Sequence, residues 1–236
     1  MNLEIAPDRD TAIDRLCERI VGASPRSLVL TGGTTAGAAY EQLASPAWRA
    51  RLDWSQVTLF FGDERRVPPD DETSCYRLAW ETLISRVEPR AVERMRGEAP
   101  DADAEAERYA ALLPERLDVT LLSMGEDGHC ASLFPGSPQL AERERLCVTG
   151  LAPYPPFERI TLTLPALNRS RLVLILALGE RKRDALNRIR SGESLPSAQV
   201  APPDGEVVWI ADGAAAGASA DERGSSRSLP RSPPTV

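Results

Sequence analysis

His129 is the only histidine of the chain, and it lies in Met124-Gly125-Glu126-Asp127-Gly128-His129-Cys130-Ala131-Ser132-Leu133-Phe134-Pro135. Histidine is the side chain whose ordinary pKa lies closest to neutral pH. Proton transfer by an imidazole therefore has one candidate. Asp127 stands two residues earlier. A carboxylate there can fix the imidazole tautomer and stabilise the imidazolium, or serve ordinary Asp-Gly turn chemistry. The glycine-bracketed turn follows the apolar run Val119-Thr120-Leu121-Leu122. Open α/β sheets place their sites at the carboxyl ends of strands, and this context favours a functional histidine over a structural one. The chain has no GxSxG elbow, and Cys130 has no second histidine to activate it. Base catalysis on water is thus expected over a covalent route. One histidine also argues against a zinc hydrolase.

Two other glycine-containing segments follow β-type runs. Thr31-Gly32-Gly33-Thr34-Thr35 lies between a strand and a helix. Glycines allow a tight turn, and a helix start offers free N–H groups and a positive dipole end, which suits a phosphate. The same residues also read as a glycine turn with a threonine helix cap. Gly62-Asp63-Glu64-Arg65-Arg66 follows Leu59-Phe60-Phe61. There Arg65 and Arg66 are cation candidates and Asp63 is an acceptor for a sugar hydroxyl, although four adjacent charges also suit a solvated loop. Arg159, after Pro155-Pro156, and Lys182, opening a helix, are further cation candidates. Lys182 is the only lysine among 28 basic residues. An ammonium is a compact point charge that a guanidinium does not always replace.

These groups need a frame. Buried strands are expected at residues 27–30, 57–61, 119–123, 172–178 and 207–210, the last closing the sheet. Residues 160–164 alternate and read as an extended edge segment. Helices are expected at about 35–43, 76–84, 104–113 and 182–189. Continuous apolar runs suggest parallel strands covered on both faces. Strands interleaved with helices give a doubly wound, mostly parallel, Rossmann-like α/β sheet with helices on both faces. Residues 1–212 are expected to form one α/β catalytic domain. Residues 213–236 turn to Ala, Gly, Ser, Arg and Pro without periodic apolar positions, and are expected to be a disordered low-complexity tail.

Composition removes several function classes. Net charge is −7, which argues against nucleic-acid binding, since that needs a basic face. An anionic ligand then needs a local basic pocket. The four cysteines (Cys17, Cys75, Cys130, Cys147) show no CxxC or metal-like spacing and read as reduced thiols of a cytoplasmic protein. The start lacks signal-peptide regions. The longest apolar run, 172–178, falls short of the about 20 residues that cross a bilayer. No membrane and no obligatory protein partner are expected.

Taken in order, the segments resemble the 6-phosphogluconolactonase family. The resemblance is carried by Leu30-Thr31-Gly32-Gly33-Thr34-Thr35, Phe60-Phe61-Gly62-Asp63-Glu64-Arg65, Met124 through Ser137, Arg159 through Leu167, and Gly179-Glu180-Arg181-Lys182. The related glucosamine-6-phosphate deaminases share the Asp-Gly-His turn but typically continue Ala-Phe-Asn-Glu-Pro, where this chain reads Ala131-Ser132-Leu133-Phe134-Pro135. They also carry a tyrosine-type residue at the place of Arg65.

The resemblance implies hydrolysis of 6-phospho-D-glucono-1,5-lactone without metal or cofactor. It implies His129 as base, Asp127 as its support, Arg65, Arg159 and Lys182 as cationic contacts, and Gly32, Gly33, Thr34 and Thr35 around the phosphate. Cys75 stands where the family often has Asn, and Cys130 where it often has Thr. A sugar-phosphate deaminase or isomerase, and a non-catalytic sugar-phosphate binding protein, are the alternative readings.

Overall fold

The computed structural model describes residues 1–217. The elements in chain order are β1 (Asn2–Ala6), α1 (Arg9–Ala23), β2 (Ser27–Leu30), α2 (Thr34–Leu43), α3 (Pro46–Arg49), β3 (Thr58–Phe61) and β4 (Asp63–Arg65). There follow α4 (Cys75–Thr82), β5 (Ala91–Val92), α5 (Ala102–Leu112), β6 (Leu117–Ser123), β7 (Cys147–Leu151) and β8 (Glu158–Leu162). The chain continues with α6 (Leu164–Leu167), β9 (Ser170–Ala177), α7 (Arg183–Arg190), β10 (Glu206–Asp212) and α8 (Gly213–Ala216). Seven strands form one parallel sheet in the order β1-β10-β9-β6-β2-β3-β5.

Alternate residues of these strands feed two cores. Leu28, Leu30, Leu59, Phe61, Leu174 and Leu176 pack with Leu16 and Ile20 of α1 and Tyr40 of α2. Val29, Phe60, Val173 and Ile175 pack with Tyr109 of α5 and Leu186 of α7. Burial on both faces explains why the central strands read as unbroken apolar runs, and the expected doubly wound α/β architecture is the one observed.

Chain direction places the site. From β2 the chain proceeds to β3 on one side, and from β6 it proceeds towards β9 on the other. The crevice beyond the carboxyl ends of β2 and β6 is the topological switch point, where α/β sheets bind ligands.

Two buried tyrosines clip the strand ends that carry the loops there. The Tyr40 hydroxyl accepts from the Thr31 N–H at 2.7 Å and donates to the Thr31 C=O at 2.6 Å. The Tyr109 hydroxyl does the same for Phe61, at 2.6 and 3.0 Å. Burial pushes both phenols well above their ordinary pKa, so both keep their protons as donors. Tyr40→Phe leaves a buried N–H and C=O without partners, and stability is expected to fall by about 1–3 kcal/mol. Urea unfolding checks this, with the midpoint falling at an unchanged slope.

Several details differ from the sequence-based expectation. Residues 160–164 do not lie at an edge of the main sheet. Residues 158–162 are the middle strand, β8, of a second, antiparallel sheet ordered β4-β8-β7. The β10 strand does not close the main sheet either; β1 pairs beyond it. The charged run after β3 is not a solvated loop, since Asp63 is 6% and Glu64 3% exposed.

Residues 213–216, placed in the tail by composition, are helical. The Asp212 carboxylate accepts from the Ala215 N–H at 2.8 Å, and Gly217 ends the turn at φ +73°. An acidic N-cap and a left-handed glycine are common helix ends. The remainder of the expected tail, 218–236, lies outside the described residues. No helix among the described residues is long and apolar enough to cross a membrane.

Candidate active site

A cleft of about 570 Å³ opens at the switch point. Its walls include Thr31–Thr35 after β2, Asp63 and Arg65 of β4, the Ser123–Asp127 segment and His129 after β6, and Leu178 and Lys182 after β9. Four separate strand ends thus deliver most of the residues singled out by the sequence, Arg66 and Arg159 excepted.

His129 is held by a tight turn. The Gly125 N–H donates to the His129 C=O at 2.8 Å, and the Gly128 N–H to the Gly125 C=O at 3.1 Å. Gly128 adopts φ +84°, a left-handed conformation that costs glycine little. Asp127 Oδ1 accepts from the His129 backbone N–H at 3.1 Å and bonds Nδ1 at 2.6 Å. The Nδ1–H tautomer follows, because a carboxylate can only accept. Nε2 has no hydrogen-bond partner among the described residues, and the side chain is 19% exposed on the cleft wall. Burial opposes ionisation of Asp127, but the hydrogen bond and charge of His129 outweigh it, so the carboxyl sits below its ordinary value. It is ionised throughout the neutral range and keeps the imidazole oriented. The Phe134 ring, 4.5 Å from the His129 ring centroid to centroid, limits its rotation.

The loop after β2 has no side-chain cap. Gly33 is the N-cap of α2 at φ +98°, and neither Thr34 nor Thr35 bonds back to the helix start. The threonine-cap reading is therefore not what is found. By contrast α1, α4 and α5 are capped by Asp8, Ser74 and Asp101. α3, α6 and α7 also lack a side-chain cap, but in α2 the uncapped first residues, Gly33, Thr34 and Thr35, line the cleft, which leaves N–H groups available to an anion.

Buried hydrogen bonds hold Arg65 in place. The neighbouring Glu64 carboxylate accepts from the N–H groups of Arg65 (2.8 Å), Cys75 (2.7 Å) and Tyr76 (2.8 Å) and from Ser74 Oγ (3.0 Å). That locks β4 to the start of α4. Arg65 donates through Nη1 to the Thr73 C=O, and its Nε has no partner. Asp63 accepts from Ser132 Oγ at 2.7 Å, tying β4 to the histidine turn.

Lys182 ends a 3₁₀ turn, Glu180–Lys182, that leads into α7. Burial lowers its ammonium below the ordinary lysine value, partly offset by Glu126.

Arg159 differs from the others. It is 2% exposed, does not line the cleft, and lies behind Tyr154 with its guanidinium carbon 6.0 Å from that ring's centroid. Sequence reasoning missed Tyr154, Gly125 and Ala131 as cleft residues. Tyr154 offered one signal, its place in the Pro153–Pro156 run before Arg159.

Cysteine chemistry is not in evidence. All four thiols are free and buried. Burial pushes Cys130 up to about 12, and Cys75 packs beneath Gly32, its Sγ 2.6 Å from where a β-carbon on that glycine would lie. Among the described residues no group of three His, Cys, Asp or Glu could hold a metal.

Fold and site together define an α/β protein whose switch-point cleft holds an Asp-paired imidazole, two cationic side chains and an uncapped helix start. The family model of glucosamine-6-phosphate isomerases/6-phosphogluconolactonase matches residues 8–209, and the chain belongs to that family. It is similar to the 6-phosphogluconolactonase of Mycobacterium tuberculosis, at 36% identity over 89% of this chain and 95% of the relative. It is also similar to the human 6-phosphogluconolactonase, at 38% identity over 84% of this chain and 82% of the relative. The crystal structure of Thermotoga maritima 6-phosphogluconolactonase superposes with a TM-score of 0.79 at 28% identity, over 89% of this chain and 99% of that one. A monomeric glucosamine-6-phosphate deaminase shares the fold, with a TM-score of 0.82 at 19% identity over 92% of this chain and 99% of that one.

Proposed function

We propose that the chain hydrolyses 6-phospho-D-glucono-1,5-lactone to 6-phospho-D-gluconate, with His129 as general base. One observation carries the reading: the unbonded Nε2 of an Asp-oriented imidazole shares a cleft with an uncapped helix N-terminus and two cations, Arg65 and Lys182. The phosphate lies against Gly32–Thr35 and the cations, which sets the lactone carbonyl beside His129. Nε2 takes a proton from water as its oxygen bonds to C1. The carbonyl becomes an oxyanion, which a nearby N–H or cation stabilises. As the bond from C1 to the ring oxygen breaks, the imidazolium returns the proton to that oxygen. Asp127 stabilises the imidazolium in between. A lactone is an activated ester, so this modest set of groups suffices. The single α/β catalytic unit needs no obligatory protein partner.

The test is 6-phosphogluconate formation by the purified protein above the spontaneous rate. Ammonia release from glucosamine 6-phosphate instead would indicate the deaminase chemistry. Thermal stabilisation by 6-phosphogluconate without turnover would indicate a binding protein.

Lys182 gives the reading a pH signature. Its lowered pKa means the ammonium loses its proton at lower pH than an ordinary lysine. Attraction for the phosphate is complete below that pKa and fails as pH rises through it. KM is therefore expected to rise at alkaline pH. In Lys182→Arg the charge persists, and the alkaline rise of KM should vanish. A KM profile identical in both proteins would place Lys182 away from the phosphate.

A further inference from the structure

The hairpin between β7 and β8 brings Tyr154 to the cleft wall. Its ring is fixed by its neighbours. Phe134 meets it edge-on, with centroids 5.6 Å apart and planes at 88°, and Phe134 itself packs on His129. The Arg159 guanidinium carbon lies over the ring, 6.0 Å from its centroid. The residue is nevertheless 44% exposed. The hydroxyls of Tyr40 and Tyr109 each make two hydrogen bonds, whereas the Tyr154 hydroxyl has no partner among the described residues.

The surroundings say what that hydroxyl is suited to meet. Arg65 and Arg159 stand opposite each other in the β4–β8 register, on one face of the small sheet. Neither forms an ion pair among the described residues, and each donates only to a backbone carbonyl, of Thr73 and Glu158. Two adjacent guanidinium groups repel, and Arg65 indeed lowers the pKa of Arg159 after the larger effect of burial. Asp63 offsets part of that repulsion, raising both guanidinium groups against the effect of burial, and a ligand anion beside Arg65 offsets more of it. Tyr154 lines the same cleft as Arg65 and has the Arg159 guanidinium carbon 6.0 Å from its ring centroid. Burial raises its phenol above the ordinary value, with Arg159 opposing, so it is a donor at neutral pH.

We propose that Tyr154 is a substrate-contacting residue whose hydroxyl donates a hydrogen bond to a phosphate oxygen of the ligand beside Arg65. The contact rests on the reading of the cleft as the seat of a phosphorylated lactone. It makes the aromatic wall of the cleft a determinant of preference for phosphorylated over unphosphorylated ligands. The edge contact of the ring with Phe134 and the approach of the Arg159 cation to the ring do not need the hydroxyl.

The experiment compares the wild-type protein with Tyr154→Phe, which keeps both ring contacts and hence the local packing. Binding of 6-phosphogluconate is measured by calorimetry, and binding of gluconate by competition against it. Loss of a hydrogen bond to a charged group is expected to weaken 6-phosphogluconate about tenfold. Gluconate affinity should change by less than about twofold, there being no phosphate to lose. KM for the lactone should rise with the first factor while kcat holds. Unchanged 6-phosphogluconate affinity in Tyr154→Phe would overturn the proposal. Equal weakening of both ligands would also overturn it, by placing the contact on the sugar. If wild-type protein binds no 6-phosphogluconate, the assignment of the cleft itself fails, and this contact with it.

Discussion

Replacing His129 with alanine is expected to lower kcat for lactone hydrolysis by about 10²–10⁴-fold, the usual worth of a positioned acid–base group. The loss falls on kcat because the imidazole acts on water and the ring oxygen, groups that change charge only during reaction. The phosphate contacts, on Gly32–Thr35, Arg65 and Lys182, are untouched, so KM should stay within about threefold; equal losses in kcat and kcat/KM mark an interaction made in the transition state. Some rate above the uncatalysed reaction should survive from positioning alone. The assay must subtract spontaneous opening, which is appreciable for an activated ester. Near-wild-type kcat would remove His129 from the chemistry.

Gly125→Ala should come close to that loss without altering any ionisable group. A β-carbon on Gly125 would lie 2.0 Å from His129 Nδ1, 2.2 Å from Cε1 and 2.7 Å from Asp127 Oδ1. None of these is a flexible chain end free to step aside. The Gly125 N–H also holds the His129 C=O, so the backbone cannot retreat without opening the turn. The methyl must drive the imidazole and carboxylate apart, leaving Nδ1–H without its acceptor and Nε2 misdirected. A kcat loss of about 10²-fold or more is expected. Overpacking should also cost about 1–3 kcal/mol of stability. Measuring kcat and the urea midpoint together separates the two effects. Wild-type kcat in this variant would mean that the pairing seen here is dispensable.

Much of the frame was legible in the sequence because it rests on buried parallel strands. The unbroken apolar runs ending at Leu30, Phe61, Ser123 and Ala177 announce both the strands and, by their ends, the site loops. The second sheet was not legible. Its β4 strand is Asp63-Glu64-Arg65, whose charges look solvated until the buried Glu64 is seen to accept from four donors of its own and the neighbouring segments. Nothing local in the sequence encodes that satisfaction. The edge strand β1 was missed because it is largely half-buried or exposed and carries no long apolar signal.

The same logic divides the site residues. His129, Asp127, Asp63, Arg65, Lys182 and the Gly32–Thr35 loop follow strand ends and meet on one cleft. Arg159 sits inside β8 of the second sheet, and the cleft reaches it only past Tyr154. Gly125 was visible as a turn residue, but its closeness to the imidazole is a property of the folded turn. Tyr154 belongs to a proline-rich hairpin whose path over the cleft depends on β7 pairing with β8.

The central claim is that an Asp-oriented imidazole faces the lactone carbon of a ligand anchored by its phosphate. A crystal structure of the protein with 6-phosphogluconate tests it most directly. The account predicts a C1 carboxylate oxygen within about 2.6–3.2 Å of His129 Nε2, and a phosphate against the N–H groups of α2 with Arg65 and Lys182. A product bound the other way round, or seated with no oxygen near Nε2, would contradict it.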